Sequence, residues 1–139
     1  MGGVKVEPVY DLHYAYSRDG INWEVTDSVS CISGNNEAIA QPCVVKENNK
    51  YYMWYSYRKT LDYRTNKDNS YRIGYAESGD GTNWIRKDEA VGIAVSETGW
   101  DSEMIEYPYV IKIKDKWVMF YNGNGFGKSG IGLAISDVL

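Results

Sequence analysis

The sequence carries the pattern Ser-x-Asp-Gly-x-Asn-Trp twice, as "SRDGINWEV" at Ser17–Val25 and as "SGDGTNWIR" at Ser78–Arg86. The two copies lie 61 residues apart, and each follows a similar lead-in, "LHYAYS" and "IGYAES". An Asp-Gly pair between two strand-like runs predicts a hairpin turn. In such a turn we expect Asp to cap the backbone, Gly to adopt a positive φ and Trp to fold back onto the sheet. The pattern therefore predicts a structural role for Asp19 and Asp80.

A second phrase also occurs twice, as "EAIAQPCVVKENNKYYMWYSYR" at 37–58 and as "EMIEYPYVIKIKDKWVMFYNGN" at 103–124. The offset is 66 residues throughout, and identical residues recur at corresponding positions, such as Pro42 with Pro108. A third lead-in, "IGLAIS", lies at 131–136. An internal repeat of this length indicates a solenoid, a propeller or an array of units.

Each repeat unit is predicted to contain four antiparallel strands joined by tight turns. In the complete unit these strands are predicted at 39–46, 50–58, 71–78 and 83–87. The second strand is apolar on both faces, which is typical of a strand packed between two layers. A four-stranded unit repeated radially is a β-propeller blade. The sequence thus predicts an all-β, single partial propeller domain with a partial blade at about 10–30, a complete blade at about 37–90 and a partial blade at about 101–139.

These blade phrases resemble those of the five-bladed β-propeller glycoside hydrolases, family 43 and its relatives. The shared features are the Pro-x-Val-x-Lys first strand, the Met-Trp-Tyr-Ser or Met-Phe-Tyr-Asn second strand and the Ile-Gly-Tyr-Ala-x-Ser third strand. The resemblance runs from about Tyr10 to Ser136 and covers an incomplete ring, about half of a five-bladed propeller. It implies a protein that acts on or binds a sugar in a central funnel. The alternative is a non-catalytic carbohydrate-binding or assembly module.

Three glutamates are candidate catalytic residues, since glycoside hydrolysis needs one protonated and one ionised carboxyl group. By the resemblance, Glu106 lies two residues before a proline, where family 43 often has its general acid. Glu37 and Glu103 recur at corresponding positions in both blades, and a blade-closing ion pair is the alternative interpretation for them. The family's aspartate base would belong to a blade that this sequence lacks. Whether the chain is an enzyme is therefore left open.

Other polar and aromatic residues are predicted near the strand ends, where they could contact sugar hydroxyls or stack on a sugar ring. The substrate-binding candidates are Arg58, Arg72, Asn122, Asn124, Trp54 and Asp101. Surface ion pairing is the alternative for the arginines, and a place in the blade core is the alternative for Trp54.

Composition excludes several classes of function. The net charge is −4 with no cluster of Lys and Arg, which argues against nucleic-acid binding. No apolar run is long enough for a membrane helix, and no signal peptide precedes the first blade, so we expect a cytoplasmic location.

The sequence demands no cofactor or metal, although the resemblance allows a divalent ion in the channel. Cys31 and Cys43 are expected to be free thiols, with a disulfide as the alternative. An incomplete ring exposes apolar sheet faces, so we expect either a homo-oligomer, such as a dimer, or a fragment of a longer propeller.

Overall fold

The computed structural model describes residues 7–29 and 34–139, so Cys31 lies outside the described residues. Within these ranges the chain forms nine strands and two short 3₁₀ helices, at Lys67–Asn69 and Asp88–Ala90. The strands are β1 His13–Tyr16, β2 Glu24–Val29, β3 Glu37–Glu47, β4 Lys50–Lys59, β5 Arg72–Ser78, β6 Ile85–Arg86, β7 Glu106–Ile113, β8 Lys116–Asn122 and β9 Ile131–Ser136. In the part of the chain that is described, no helix is long and apolar enough to cross a membrane.

The strands form three antiparallel sheets in which neighbours in the sheet are neighbours in the chain. The N-terminal sheet is β1–β2, the central sheet is β3–β4–β5–β6 and the C-terminal sheet is β7–β8–β9. The central sheet is a complete four-stranded blade. The predicted all-β architecture of antiparallel blades in an incomplete propeller is confirmed.

Two apolar clusters join the three sheets face to face. Between the central and C-terminal sheets, Trp54 and Tyr75 pack with Trp117 and Met119. On the other face of the central sheet, Met53 and its buried neighbours pack with Leu12 of the N-terminal segment. Because β4 contributes to both clusters, the central sheet is apolar on both faces, as its sequence predicts.

The Asp-Gly turns have the predicted structure in both copies. The Asp80 carboxylate accepts hydrogen bonds from the backbone N–H groups of Thr82 and Asn83, both at 2.8 Å, and Gly81 has φ +81°. Asp19 makes the equivalent bonds beside Gly20, which has φ +73°. These bonds hold the pKa of both aspartates below the ordinary range, because they favour the ionised form.

The tryptophans of the two turns differ in burial. Trp84 is half-buried and packs against the cluster on the N-terminal side of the central sheet. Trp23 is 60% exposed. Trp23 is the more exposed of the two because no described sheet covers that face of the N-terminal sheet.

Candidate functional site

The first strands of the central and C-terminal sheets share an irregularity at the residue before proline. Gln41 precedes Pro42 with φ +54°, and Tyr107 precedes Pro108 with φ +55°. The pairing of each strand with its neighbour shifts at this point. A residue other than glycine with φ in this region is strained, and the surrounding structure must hold it. Glu106 lies directly before this bulge, and the corresponding residue of the central sheet is Ala40.

Glu106 is the most unusual ionisable residue in this part of the chain. Its side chain is 0% exposed, and neither carboxylate oxygen has a hydrogen-bond partner among the described residues. Burial without a compensating partner favours the neutral acid and raises the pKa of Glu106 to about 7. A carboxyl group in this state can donate a proton at neutral pH, which an exposed glutamate cannot do to a useful extent.

The backbone beside Glu106 is tied to the central sheet. The N–H of Tyr107 donates a 2.8 Å hydrogen bond to the Oγ atom of Ser56, which is itself fully buried. The Tyr107 ring is 40% exposed, so the strand passes from buried to open surface within one residue. Burial raises the pKa of the Tyr107 hydroxyl, and the nearby Glu106 carboxyl adds to this shift.

The structure places Glu37 in a network of ion pairs. Its carboxylate contacts the Nζ atom of Lys59 at 2.8 Å and a guanidinium nitrogen of Arg86 at 2.6 Å. Arg86 also contacts Asp88 at 2.6 Å. These contacts link β3, β4 and β6, which is the blade-closing arrangement of the alternative interpretation.

The Glu103 side chain is exposed, and its backbone is fixed at both ends. Its N–H donates to Asn124 Oδ1 at 2.8 Å, and its carbonyl accepts from Arg72 at 2.9 Å. No described carboxylate hydrogen-bonds to Glu106. The three candidate glutamates thus have three different environments, and their role as an acid and base pair stays a prediction.

Arg58 is 1% exposed, and protein groups surround its guanidinium. It donates to the carbonyl of Pro8 at 2.5 Å, to the carbonyl of Lys59 at 3.0 Å and to the hydroxyl of Tyr71 at 3.3 Å. The guanidinium also lies over the Tyr63 ring, with its carbon 3.9 Å from the centroid. The prediction that Arg58 binds substrate is corrected here, because its donors already hold the N-terminal segment on the central sheet.

Arg72 is half-buried, and it donates to three carbonyls, those of Tyr71, Glu103 and Lys67, at 2.8–2.9 Å. Burial lowers the pKa of its guanidinium. Arg72 also lines a cavity of about 500 Å³ beside Tyr57. It therefore fixes the 59–71 loop and faces open space at the same time.

The remaining candidates are mostly engaged within the chain. Asn124 accepts from the N–H groups of Glu103 and Met104 and donates to the carbonyl of Gly99. Asp101 is 5% exposed and accepts a 3.1 Å hydrogen bond from the hydroxyl of Tyr121.

Asn122 is half-buried at the end of β8, paired in register with Glu106. Trp54 is 6% exposed and lies in the apolar cluster between the central and C-terminal sheets. This is the place in the blade core that was the alternative to sugar binding. Of these residues, Asn122 remains adjacent to Glu106 in the sheet.

An aromatic group near Glu106 was not predicted from the sequence. Its members lie on the 59–71 loop, the 123–130 loop, the N-terminal segment and β7: Tyr10, Tyr63, Tyr71, Tyr107 and Phe126. The Tyr71 ring is the centre of this aromatic group, 6.4 Å from the Tyr107 ring and 6.0 Å from the Phe126 ring. The sequence signal that could have indicated this group is the set of tyrosines and arginines in the polar segment between β4 and β5.

The outer members of the aromatic group are accessible. Tyr10, Tyr107 and Phe126 are 47%, 40% and 44% exposed. A cleft of about 330 Å³ opens between Tyr63 and Phe126, and Arg64 and Glu103 also line it. Exposed aromatic rings beside charged groups suit a ligand with apolar faces and hydroxyl edges.

The resemblance allows a divalent metal ion in the channel. Within residues 7–29 and 34–139, no group of three or more His, Cys, Asp or Glu residues is placed to hold a metal ion.

No protein-family model matches the sequence. An uncharacterised protein of Mycobacterium tuberculosis (strain CDC 1551 / Oshkosh) is 40% identical over 128 residues, which are 91% of this chain and 40% of that protein. A β-1,2-mannobiose phosphorylase of Thermoanaerobacter sp. (strain X514) is 34% identical over 95 residues, 64% of this chain and 31% of the phosphorylase. The chain thus spans 40% or less of the length of these curated relatives.

Solved structures show the same architecture. A family 117 glycoside hydrolase of the marine bacterium Zobellia galactanivorans matches with a TM-score of 0.63 at 17% identity, over 94% of this chain and 42% of that one. A GH43 β-xylosidase/α-arabinofuranosidase from a compost microbial metagenome matches with a TM-score of 0.54 at 16% identity, over 72% of this chain and 32% of that one. At these identities the likeness shows the fold, which is that of part of a five-bladed propeller glycoside hydrolase.

Proposed function

We propose that the chain is part of a carbohydrate-active propeller that cleaves a glycosidic bond, with Glu106 as the proton donor. The observation that carries the proposal is the fully buried Glu106 carboxyl, which lacks a hydrogen-bond partner among the described residues and has a pKa raised to about 7. Leaving a carboxyl group buried and unpaired costs stability. Ionisable groups with such shifts cluster at functional sites.

The proposed reaction follows from a protonated carboxyl next to a sugar. The Glu106 proton moves to the glycosidic oxygen, the bond from that oxygen to the anomeric carbon breaks, and the carboxyl becomes a carboxylate. An incoming nucleophile then bonds to the anomeric carbon. No described carboxylate hydrogen-bonds to Glu106, and by the resemblance the second carboxylate, an aspartate base, belongs to another blade of the complete ring.

The aromatic group is the proposed sugar-binding surface. Tyr107 follows Glu106 in the chain and exposes its ring, while Tyr10 and Phe126 expose theirs nearby. Because the carboxyl is closed off in this structure, a bound sugar must displace part of this cover to reach it.

The named relative indicates which bonds to test first. A β-1,2-mannobiose phosphorylase shares 34% identity with this chain over 95 residues. Its name refers to a bond between two sugars and to phosphate as the nucleophile. We therefore propose a mannose disaccharide as the first substrate to assay, both with and without inorganic phosphate.

The second candidate function is a non-catalytic carbohydrate-binding or assembly module. The ion pairs of Glu37 favour it, because they give one candidate carboxylate a structural role. The two functions share the aromatic surface and differ in whether Glu106 transfers a proton.

The deciding experiment uses the complete ring, which supplies the second carboxylate, and compares it with the same ring carrying Glu106→Gln on two kinds of substrate. On mannobiose, whose leaving group needs a proton, we expect Glu106→Gln to reduce turnover by about 10²–10⁴-fold. On aryl mannosides with acidic phenols, which leave without protonation, we expect a much smaller loss. This difference between substrates is the signature of a general acid.

The matched control is Glu97→Gln, which removes an exposed carboxylate outside the aromatic group. We expect its turnover to equal that of the parent. Equal losses on both substrates for Glu106→Gln would assign Glu106 a structural role. Sugar binding without turnover of any substrate would establish the binding module instead.

A further inference from the structure

Ser56 is a small polar residue in a strand of large aromatic residues. It lies on β4 between Tyr55 and Tyr57, and it is 0% exposed. Its side chain is on the same face of β4 as Trp54, which packs in the apolar cluster between the central and C-terminal sheets. A buried hydroxyl in such a place needs a hydrogen-bond partner. The partner is the N–H of Tyr107 in the C-terminal sheet, which donates to Ser56 Oγ at 2.8 Å.

This bond fixes the strained residue at the start of β7. Tyr107 has φ +55°, and it has no partner residue on β8, because the pairing shifts between Glu106 and Tyr109. Its N–H therefore needs an acceptor outside the regular ladder, and Ser56 supplies one. A residue other than glycine keeps such a φ only where the surrounding structure holds it. The bond from Tyr107 to Ser56 is a contact that holds it to the central sheet.

Glu106 directly precedes Tyr107, so the same bond acts on the Glu106 carboxyl group in two ways. It keeps the start of β7 against the central sheet, where Glu106 is 0% exposed. It also occupies the backbone N–H that follows Glu106, so this donor is not free to bond to the carboxyl. Neither Glu106 oxygen has a hydrogen-bond partner among the described residues. Water or an N–H donor at the carboxyl would favour its ionised form.

The charged side chains around the start of β7 are bonded to groups other than Glu106. β7 packs against β3, β4, β5 and β8. The ionisable side chains of these strands at this end are Glu37, Tyr57, Arg58, Lys59 and Arg72, together with the tyrosines of the aromatic group. Glu37 pairs with Lys59, and the two arginines donate to backbone carbonyls. Burial is what raises the pKa of Glu106, so the placement of β7 decides it.

We propose that Ser56 is a positioning residue for Glu106: its hydroxyl accepts the N–H of Tyr107 and so holds the start of β7 where the Glu106 carboxyl is buried and unpaired. Ser56 acts through the backbone of Tyr107 and needs no contact with a sugar. The catalytic meaning of this role rests on the proposed function, in which Glu106 donates the proton.

A second bond of the same kind provides a matched control. The N–H of Val110 donates to the Sγ atom of Cys43 at 3.2 Å. This bond also joins β7 to the central sheet, but it lies beyond the bulge and does not adjoin Glu106. Cys43→Ala and Ser56→Ala therefore each remove one side-chain acceptor from an N–H of β7, and only Ser56→Ala frees the N–H next to Glu106.

The first test measures the pKa of Glu106 in the folded chain, by following its carboxyl ¹³C signal from about pH 4 to about pH 9. The signal is identified by its loss in Glu106→Gln. We expect a pKa of about 7 in the parent and in Cys43→Ala, and a value moved toward 4.5 in Ser56→Ala. Ser56→Thr keeps the hydroxyl and should retain the parent value.

The second test measures turnover against pH in the complete ring. The protonated fraction of a carboxyl group at pH 7 falls by up to about 10²-fold when its pKa moves from about 7 to 4.5. Ser56→Ala should therefore lose up to this factor in turnover at pH 7 and regain turnover as the pH is lowered. Cys43→Ala should keep the pH profile of the parent.

Circular dichroism must show that each variant is folded. If Ser56→Ala is not folded, Ser56→Cys replaces it, because a thiol is a weaker acceptor than a hydroxyl. An unchanged pKa of Glu106 in Ser56→Ala, or an equal fall in Cys43→Ala, would overturn the positioning role.

The two tests separate this role from the proposed function. An ordinary pKa of Glu106 in the parent would overturn the positioning role and remove the observation that carries the proposed function. A fall in pKa confined to Ser56→Ala, in a ring that turns over no sugar, would support the positioning role and refute the proposed function.

Discussion

The segments 37–58 and 103–124 have nearly the same backbone and carry different charges. Both bulge before a proline, with φ values of +54° at Gln41 and +55° at Tyr107. Since the strained residue occurs in both sheets, it is a property of the blade and does not by itself mark a functional site. What separates the two segments is the side chain beside the bulge, Ala40 in one and the buried Glu106 in the other.

The difference extends to three corresponding pairs, Ala40 with Glu106, Glu37 with Glu103, and Arg58 with Asn124. The central segment has its charges in ion pairs or buried hydrogen bonds, as for Glu37 and Arg58. The C-terminal segment leaves one carboxyl buried without a described partner and another exposed. The two segments thus share their packing, whereas the environments of their ionisable groups differ between the blades.

The largest expected difference in stability is between alanine substitutions at the corresponding residues Arg58 and Asn124. Arg58→Ala leaves the carbonyl of Pro8 without its donor and opens a cavity beside Tyr63, so we expect it to reduce the free energy of unfolding by about 3–5 kcal/mol. Asn124→Ala removes neutral hydrogen bonds at a half-exposed site and should cost about 1–2 kcal/mol. Urea unfolding followed by tryptophan fluorescence measures both. Equal losses would show that the two residues anchor their loops equally.

The next largest effect is a pH dependence of the free energy of unfolding. Glu106 should produce it, whereas Ala40, at the corresponding position, has no group that ionises. The pKa of Glu106 is about 7 in the folded chain against an ordinary value of 4.5. The folded chain therefore holds a proton that the unfolded chain has lost between these values. The contribution of Glu106 to stability is full below about pH 4.5 and falls, by about 3 kcal/mol in total, as the pH rises from there through 7.

Urea unfolding of the parent and Glu106→Gln between pH 4.5 and 8 tests this dependence. Glu106→Gln should lack the decline that Glu106 causes, and Glu103→Gln should retain it. An identical slope in the parent and in Glu106→Gln would mean that Glu106 ionises normally in the folded chain.

The smallest expected difference in stability is between glutamine substitutions at the corresponding residues Glu37 and Glu103. Glu37→Gln weakens the pairs with Lys59 and Arg86, which are partly exposed, so we expect a loss of about 1 kcal/mol that shrinks in molar salt. Glu103→Gln should leave stability unchanged at either salt concentration. Thermal melts at low and high salt measure the difference. A salt-independent loss for Glu37→Gln would indicate packing rather than ion pairing.

Much of the fold could be predicted because its signals are local. The turns at Asp19 and Asp80 depend on neighbouring residues, and the strand pattern of 50–58 shows two apolar faces. The candidate site was only partly predictable. The family resemblance points to Glu106 because this residue lies two positions before Pro108. The sequence also predicts that Arg58 binds substrate, whereas its guanidinium donates to the backbone carbonyl of Pro8. The aromatic group was missed because its members come from four separate segments.

Local sequence patterns are sufficient to predict the strands, the turns and the repeat, since hydrogen bonding within a hairpin and alternation along a strand depend on nearby residues. The packing of the sheets is needed to see that Glu106 is buried without a described partner, that Glu37 is paired, and that Trp84 is covered while Trp23 is not. Burial and charge pairing depend on which sheet packs against a residue, and this contact is not local in the sequence. Two residues in the same local pattern can therefore have different environments and different chemistry.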